Sequence, residues 1–191
     1  MYTVVAPVPG NLAAALQPYR QRYDPTAKLI PPNLAIIKPF RFSGTRQELH
    51  AHLNDVGDLE APIRISLAGW DVYSSKGYLL CLPVIAGQQE FLALRSHLLT
   101  GPLSPLAEQS QFYRPHIVFG RMPTKEDVNN ARNVLARFEP QFIFRVTHIE
   151  LWQRKSRKDL WKLEKRFGLK GTVLSTPQTG TPAKSGNEVF R

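Results

Sequence analysis

The stretch that decides the fold occurs twice, as PPNLAIIKPF (Pro31–Phe40) and as RPHIVFGRMP (Arg114–Pro123). Aligned, Pro-Asn-Leu-Ala-Ile in the first copy matches Pro-His-Ile-Val-Phe in the second, at an offset of 83 residues (116 − 33 = 83). Each copy is an apolar run led by proline, which is incompatible with a helix interior. The two copies therefore predict the same short strand, with asparagine in one and histidine in the other.

The elements predicted around the two copies follow one order: strand, helix, strand, strand. A Thr-x-x-Glu capping box opens a helix at Thr45 after the first copy, and Thr124, with Asp three residues on, opens one after the second. Two strands around a polar turn follow each helix, with SSKG in 62–84 and KSRK in 141–169. A repeat of this size predicts two similar lobes related by a pseudo-twofold axis.

Three further elements lie outside the two repeats. Residues 2–8 are predicted to form a strand, and apolar residues at helical spacing predict a helix over 10–24 with Asn11 as a candidate N-cap. A second pattern of this kind predicts a helix over 88–101 that ends at Gly101, a common C-cap residue.

Length and composition fit one domain, or two small lobes that share a core. The chain has 191 residues, of which 42% are hydrophobic and 10% aromatic, as in ordinary globular proteins. Its net charge is +10, from 25 Lys and Arg against 15 Asp and Glu, and this favours anionic partners such as nucleic acid, nucleotides or acidic lipids. The alternative, that the charge only keeps the protein soluble, stays open.

Two absences narrow the class of protein. Cys81 is the single cysteine, so no internal disulfide is expected, and no Cys/His spacing matches a metal site. The N-terminus lacks the basic flank and apolar core of a signal peptide, and no stretch approaches the ~18 apolar residues of a membrane span. We expect a cytoplasmic, soluble protein without metal, cofactor or membrane.

The paired strands resemble those of a known family. Residues two apart in a strand share a face, so Asn33 lies beside Ala35 and His116 beside Val118. Across roughly residues 1–170 the repeat order and this element resemble the 2H phosphoesterases, which include 2′-5′ RNA ligases and cyclic phosphodiesterases. The resemblance implies an α+β fold of two pseudo-symmetric lobes, whose antiparallel sheets, flanked by helices, surround a central cleft.

The predicted domain spans residues 1–172, and its lobes are not separable in sequence. Residues 173–191, rich in Thr, Pro, Ser and Gly, are predicted to be a flexible tail.

In the 2H phosphoesterases both copies of the motif read His-x-Thr or His-x-Ser. This implies two imidazoles on either side of a phosphodiester, one accepting a proton and one donating it, while the hydroxyls bind the phosphate. Histidine suits both roles because its pKa lies near neutrality.

This sequence departs from the family pattern at three of four positions. Asn33 replaces a histidine, Ala35 and Val118 replace the hydroxyl residues, and His116 alone is retained. Asparagine forms hydrogen bonds but does not titrate, and loss of one acid-base partner costs roughly 10² to 10⁴ in rate. Each lost phosphate donor costs roughly a further 10² or more. Impaired or absent catalysis is therefore expected, with His116 and Asn33 holding the phosphate.

Other residues are weaker candidates for the site. His148, on a predicted strand, is the one stand-in for the missing histidine, whereas the three other histidines lie on predicted helices. Tyr113 and Arg114 could reach the cleft mouth. Lys38 and Arg121 are candidate phosphate ligands, but strand parity places them on the opposite face, so a bulge would be needed to turn them inward.

Basic residues concentrate late in the chain, between 154 and 170, with two tryptophans interleaved (Trp152 and Trp161). Such a hairpin could attract phosphates and stack bases. Equally, its tryptophans could face the core and leave a solvated turn.

Three functions stay open. The first is a divergent family member that binds RNA ends or nucleotide phosphodiesters with little or no turnover. The second is an active phosphodiesterase or RNA ligase that uses His116 with an unusual partner. The third is a protein-protein interaction module that keeps only the fold, and the sequence names no protein partner for it.

Overall fold

Antiparallel strands build one sheet in the computed structural model, which describes residues 1–107 and 113–172. The strands are β1 (Tyr2–Pro7), β2 (Asn33–Phe40), β3 (Ile63–Ala68), β4 (Asp71–Ser75), β5 (Gly77–Ala86), β6 (His116–Met122), β7 (Gln141–Val146), β8 (His148–Gln153) and β9 (Lys162–Gly168). The helices are α1 (Gly10–Tyr23), α2 (Arg46–Leu59), α3 (Gln88–Leu98), α4 (Lys125–Val134) and a 3₁₀ turn (Gly101–Leu106). The predicted α+β class is confirmed, and the predicted tail at 173–191 lies outside the described residues.

The strand order is symmetric about the central pair of β2 and β6. It runs β7-β3-β5-β6-β2-β1-β8-β9, with β4 added beside β5. Each half of the sheet therefore takes strands from both halves of the sequence: β1 and β2 lie with β8 and β9, and β3 and β5 lie with β6 and β7. The predicted pseudo-twofold is present, but neither half of the sequence forms a lobe alone.

Two predicted strands are each divided in the structure. The stretch 62–84 forms three strands rather than two, because Gly69, at φ 65°, turns the chain between β3 and β4. Likewise, 141–154 is not one strand. Its first part pairs with β3 and its second part with β1, so the chain passes from one half of the sheet to the other at Thr147.

Two helix ends differ from the prediction, while both capping boxes are confirmed. Pro9, not Asn11, is the N-cap of α1, and the Asn11 side chain accepts a bond from the Leu12 amide at 2.9 Å. Helix α3 ends at Leu98, before Gly101, whose positive φ of 51° opens the 3₁₀ turn instead. At Thr45 and Thr124 the side chain and the third residue cap each other reciprocally.

The helices bury their apolar residues in one continuous cluster with alternate residues of the strands. Leu12, Leu49, Phe91 and Leu94 are fully buried there, and each such side chain contributes roughly 1.5–3 kcal/mol. The neighbouring residues of β2 and β6 stay half-exposed, which leaves one face of the central strands open. Among the described residues, no helix is long and apolar enough to cross a membrane.

Candidate functional site

Matching bulges shape the two central strands. In β2 both Ile36 and Ile37 are buried, and the register with β1 shifts beside them. In β6 both Phe119 and Gly120 are buried, and the register with β5 shifts at the same point of the motif. A bulge adds one residue and thereby reverses the alternation that follows it. The two neighbouring strands thus carry the same irregularity, 83 residues apart (119 − 36 = 83).

The bulges turn Lys38 and Arg121 into the cleft. Both line it together with Asn33 and His116, so the parity expectation that placed the two cations on the opposite face is wrong. A simple period of two cannot reveal a bulge, but the doubled apolar pairs before each cation were a signal of it. The cleft that they share has a volume of about 920 Å³.

Strand register divides this cleft into two half-sites. β2 and β6 pair antiparallel through Leu34 and Ile117. The same register sets Ala35 across from His116, and Asn33 across from Val118. His116 with Ala35 forms one half-site, and Asn33 with Val118 forms the other. Ala35 and Val118 stand where the resemblance implies a hydroxyl.

His116 is held in one tautomer. Its Nδ1 lies 2.6 Å from the Arg114 carbonyl oxygen, which only accepts, so Nδ1 carries the proton and Nε2 keeps its lone pair. The ring packs edge-on against Tyr73, with centroids 5.0 Å apart. Burial lowers the pKa of His116, the charges of Lys38 and Arg121 lower it further, and the Arg114 carbonyl partly opposes them. The imidazole is consequently neutral at neutral pH, with Nε2 unprotonated.

Asn33 reproduces the bond that orients His116. Its Nδ2 donates to the Pro31 carbonyl at 2.9 Å, two residues back, as His116 Nδ1 donates to Arg114. The amide nitrogen thus takes the place of the imidazole Nδ1, and Oδ1 is left as an acceptor. The structure brings these two predicted residues together in one cleft and gives both the same support, yet only His116 can transfer a proton.

A buried ion pair fixes Arg121. Asp24 and Arg20 pair at 3.0 Å with side chains each only 2% exposed, and Arg121 Nε donates to Asp24 Oδ1 at 3.2 Å. Burial raises the pKa of Asp24, but hydrogen bonds from Thr26 and Arg20 and the charge of Arg121 outweigh it, so the net shift is downward. With Nε engaged, the two terminal nitrogens of Arg121 are left for a ligand. The sequence does not mark this pair, because charged residues four apart are common on surface helices.

Tyr113 forms part of the cleft wall and does not present its hydroxyl to a ligand. The hydroxyl donates to the Ala35 carbonyl at 2.5 Å, and burial raises its pKa. Arg95 stacks on the ring at 4.5 Å and donates Nε to the Ile36 carbonyl at 3.1 Å, at the bulge. These two side chains satisfy backbone oxygens near the bulge of β2, and Arg114 beside them is exposed and lines the cleft.

Strand β4 supplies cleft residues that the sequence did not single out. Tyr73, Ser74 and Ser75 line the cleft on the His116 side, since β4 pairs with β5 next to β6. Their hydroxyls are hydrogen-bonding groups in a cleft whose motif hydroxyls are missing. No motif marked them, because a Tyr-Ser-Ser run is typical of an ordinary strand and turn.

The remaining candidates lie elsewhere. His148 does not line the cleft; its Nε2 lies 3.5 Å from Glu150 Oε1, so a stand-in role has no geometric support. Trp161 is only 8% exposed, so its ring is not available for stacking on a base. Trp152 donates its Nε1 to Glu150 Oε2 at 2.8 Å.

The charged side chains that line the cleft carry a net charge of +2 with His116 neutral. Four are positive and two are negative: Arg20, Lys38, Arg114 and Arg121 against Asp24 and Asp71. The low-dielectric walls of a cleft focus the electric field of the charges that line it. Within the described residues no group of three or more His, Cys, Asp or Glu could hold a metal ion.

Comparison with known proteins gives the family. The model of the 2′-5′ RNA ligase superfamily matches residues 8–158, and the chain belongs to this superfamily. No match was found among curated proteins.

Solved structures share the fold. TT0787 of Thermus thermophilus is 19% identical with a TM-score of 0.61, over 89% of this chain and 98% of that one. E. coli LigT complexed with NADP⁺ is 14% identical with a TM-score of 0.58, over 88% of this chain and 97% of LigT. LigT complexed with 3′-AMP is 13% identical with a TM-score of 0.56, over 88% and 96%. The predicted resemblance to 2H phosphoesterases is confirmed.

Proposed function

We propose that this protein binds the phosphate of an RNA end or a nucleotide phosphodiester in the cleft, and that its catalysis is impaired or lost. The observation that carries the proposal is the matched support of Asn33 and His116, each bonded to the carbonyl two residues before it. That geometry supports a retained binding site, because an unused position would not need an oriented side chain. RNA as the ligand and a cytoplasmic location are parts of the proposal.

The charge of the cleft fits such a ligand. Lys38 and Arg121 follow the two motif positions on the paired central strands, so a phosphate between the two half-sites has a cation from each strand. The terminal nitrogens of a guanidinium match two phosphate oxygens, whereas the lysine acts as a point charge. LigT, which shares this fold, has been solved with NADP⁺, 3′-AMP and ATP.

Hydrolysis of a 2′,3′-cyclic phosphate would lack one of its two proton transfers in this site. His116 Nε2 can take a proton from water as the water attacks phosphorus. The leaving ribose oxygen then needs a proton from the opposite side, where the amide of Asn33 cannot supply one within a cycle. The loss of that partner lowers the rate by roughly 10² to 10⁴. Ala35 and Val118, in place of hydroxyl donors, lower it further.

An active phosphodiesterase or RNA ligase is the second candidate. The observation that favours it is the state of His116, neutral and with a free Nε2, which is what a general base requires. A water held at Asn33 Oδ1 would then have to protonate the leaving oxygen.

Calorimetry with 3′-AMP, beside turnover of an RNA ending in a 2′,3′-cyclic phosphate, separates the two candidates. Wild type should bind and show slow turnover at most, and His116→Ala should weaken binding about tenfold, because it removes an interaction of about 1.4 kcal/mol. Efficient turnover by wild type that His116→Ala abolishes would establish the active enzyme instead. Absence of binding to both ligands at low salt would refute the proposal.

A further inference from the structure

The hairpin between β8 and β9 presents a basic surface outside the cleft. Residues 154–162 contain five basic residues and one acidic residue. Four of the cations are exposed, and none forms an ion pair with a described residue: Lys155, Arg157, Lys158 and Lys162. The acidic residue, Asp159, accepts from the Ser156 amide at 2.7 Å and so closes the turn. The hairpin therefore presents uncompensated positive charge to solvent.

The hairpin is rigid enough to serve as a surface. Arg154 stacks on the Trp161 ring at 4.4 Å and donates to the Arg157 carbonyl at 2.9 Å. Trp161, almost fully buried, donates its amide to the Leu29 carbonyl at 2.9 Å. The tip is thus fixed across the turn and fastened to the loop that leads into β2.

That loop connects the hairpin to the cleft. Ile30, Pro31 and Pro32 line the cleft and also line a shallow apolar groove of about 500 Å³ on their other side. Leu160, 56% exposed, and Trp161 form the hairpin side of this groove, and Lys28 lies on its rim. Pro31, whose carbonyl orients Asn33, is therefore the ridge between the two depressions.

We infer that the β8–β9 hairpin and this groove bind the chain of a single-stranded RNA whose phosphate occupies the cleft. The phosphates contact Lys155, Arg157 and Lys158, and bases rest on the apolar groove around Leu160. Proteins that bind flexible single strands combine a positively charged groove along the backbone with side chains against which the bases stack. The inference rests on the proposed function, because a phosphate in the cleft fixes one end of the RNA. It adds that the RNA extends beyond one nucleotide onto the hairpin.

Fluorescence anisotropy with labelled RNAs of two and twelve nucleotides, each with a 3′-phosphate, tests the inference. Wild type should bind the longer RNA more tightly. The variant Lys155→Ala/Arg157→Ala/Lys158→Ala should bind it at least tenfold more weakly at low salt and bind the dinucleotide unchanged. Each phosphate contact on a single strand contributes about −0.7 to the log–log salt slope, so loss of three should reduce the slope by about 2.

A matched control removes the same charge elsewhere. Lys125, Arg132 and Arg137 are exposed and line neither the cleft nor the groove. Their replacement by alanine should change the log–log salt slope by less than about 0.7, the value for one phosphate contact on a single strand. Equal losses in both triple variants, or no loss in the hairpin variant, would overturn the inference, as would equally tight binding of poly-glutamate.

The two proposals can fail separately. Binding of the long RNA through the hairpin, without binding of the dinucleotide or 3′-AMP, would overturn the proposed cleft function and leave the hairpin surface established. Binding of both RNAs with equal affinity would overturn the hairpin surface and leave the cleft. Binding of neither would overturn both.

Discussion

Replacement of Asn33 by histidine should restore turnover. The imidazole Nδ1 would donate to the Pro31 carbonyl, as His116 Nδ1 donates to the Arg114 carbonyl, so the new ring needs no new support. Nε2 would then face the phosphate from the Asn33 half-site. A second proton carrier is worth roughly 10² to 10⁴ in rate, which corresponds to about 2.7–5.5 kcal/mol of barrier.

The assay is the opening of a 2′,3′-cyclic phosphate at an RNA end, followed by separation of the product. Asn33→His should raise the rate at least ~10²-fold over wild type, and Ala35→Thr with Val118→Thr should raise it roughly 10²-fold more for each well-placed donor. Asn33→Gln is the matched control, because it changes size without adding a titrating group.

An Asn33→His variant that melts like wild type, binds 3′-AMP and still shows no gain in rate would refute this prediction. A gain that survives His116→Ala would refute it too, since the mechanism needs one imidazole on each side. A gain that requires the His116 imidazole would show that wild type lacks a second proton carrier at position 33.

Two further predictions concern His116 and Asp24. Affinity for a dinucleoside phosphodiester should rise as the pH falls below the ordinary histidine pKa. In the free protein, burial and the cations Lys38 and Arg121, with Arg114 and Tyr73 also nearby, keep the His116 imidazole neutral. A bound anion favours the imidazolium instead, so binding takes up a proton. Calorimetry in buffers of different ionisation enthalpy should detect proton uptake in wild type, and uptake that persists in His116→Gln would contradict this. Asp24→Asn should lower the free energy of unfolding, measured in urea, by about 3–5 kcal/mol, because it leaves the Arg20 charge buried and unpaired. Asp58→Asn, which breaks the exposed pair with Lys170, should cost at most about 1 kcal/mol, and equal costs would show that burial of the Asp24 pair is immaterial.

The fold was largely predictable because its signals are local. Capping boxes at Thr45 and Thr124 require only two residues three apart, and both are present as predicted. Strand division at Gly69 and Thr147 was not predicted, because it depends on which neighbour each half of the run pairs with, and pairing is a long-range property.

The cleft was predictable in its centre and not at its edges. The repeat placed Asn33 and His116 together, since a motif that recurs at one offset marks equivalent positions. Strand parity alone placed Lys38 and Arg121 on the opposite face, and a period of two does not reveal the bulges that turn them into the cleft. Arg20 and Asp24 carried no motif, and their importance comes from burial, which spacing does not report.

The interleaved strand order constrains the synthesis of this protein on the ribosome. Strand β1 is made before the other described strands, yet one of its two partners is β8, which follows about 140 residues later in the chain. Until then the nascent chain holds an unpaired edge that carries Val4 and Val5, and such edges invite intermolecular pairing. The sheet half that contains Asn33 is completed by β8 and β9, the last of the described strands to emerge. Contacts so distant in sequence are expected to form slowly, so the finished cleft arises only after β8 and β9 have been synthesised.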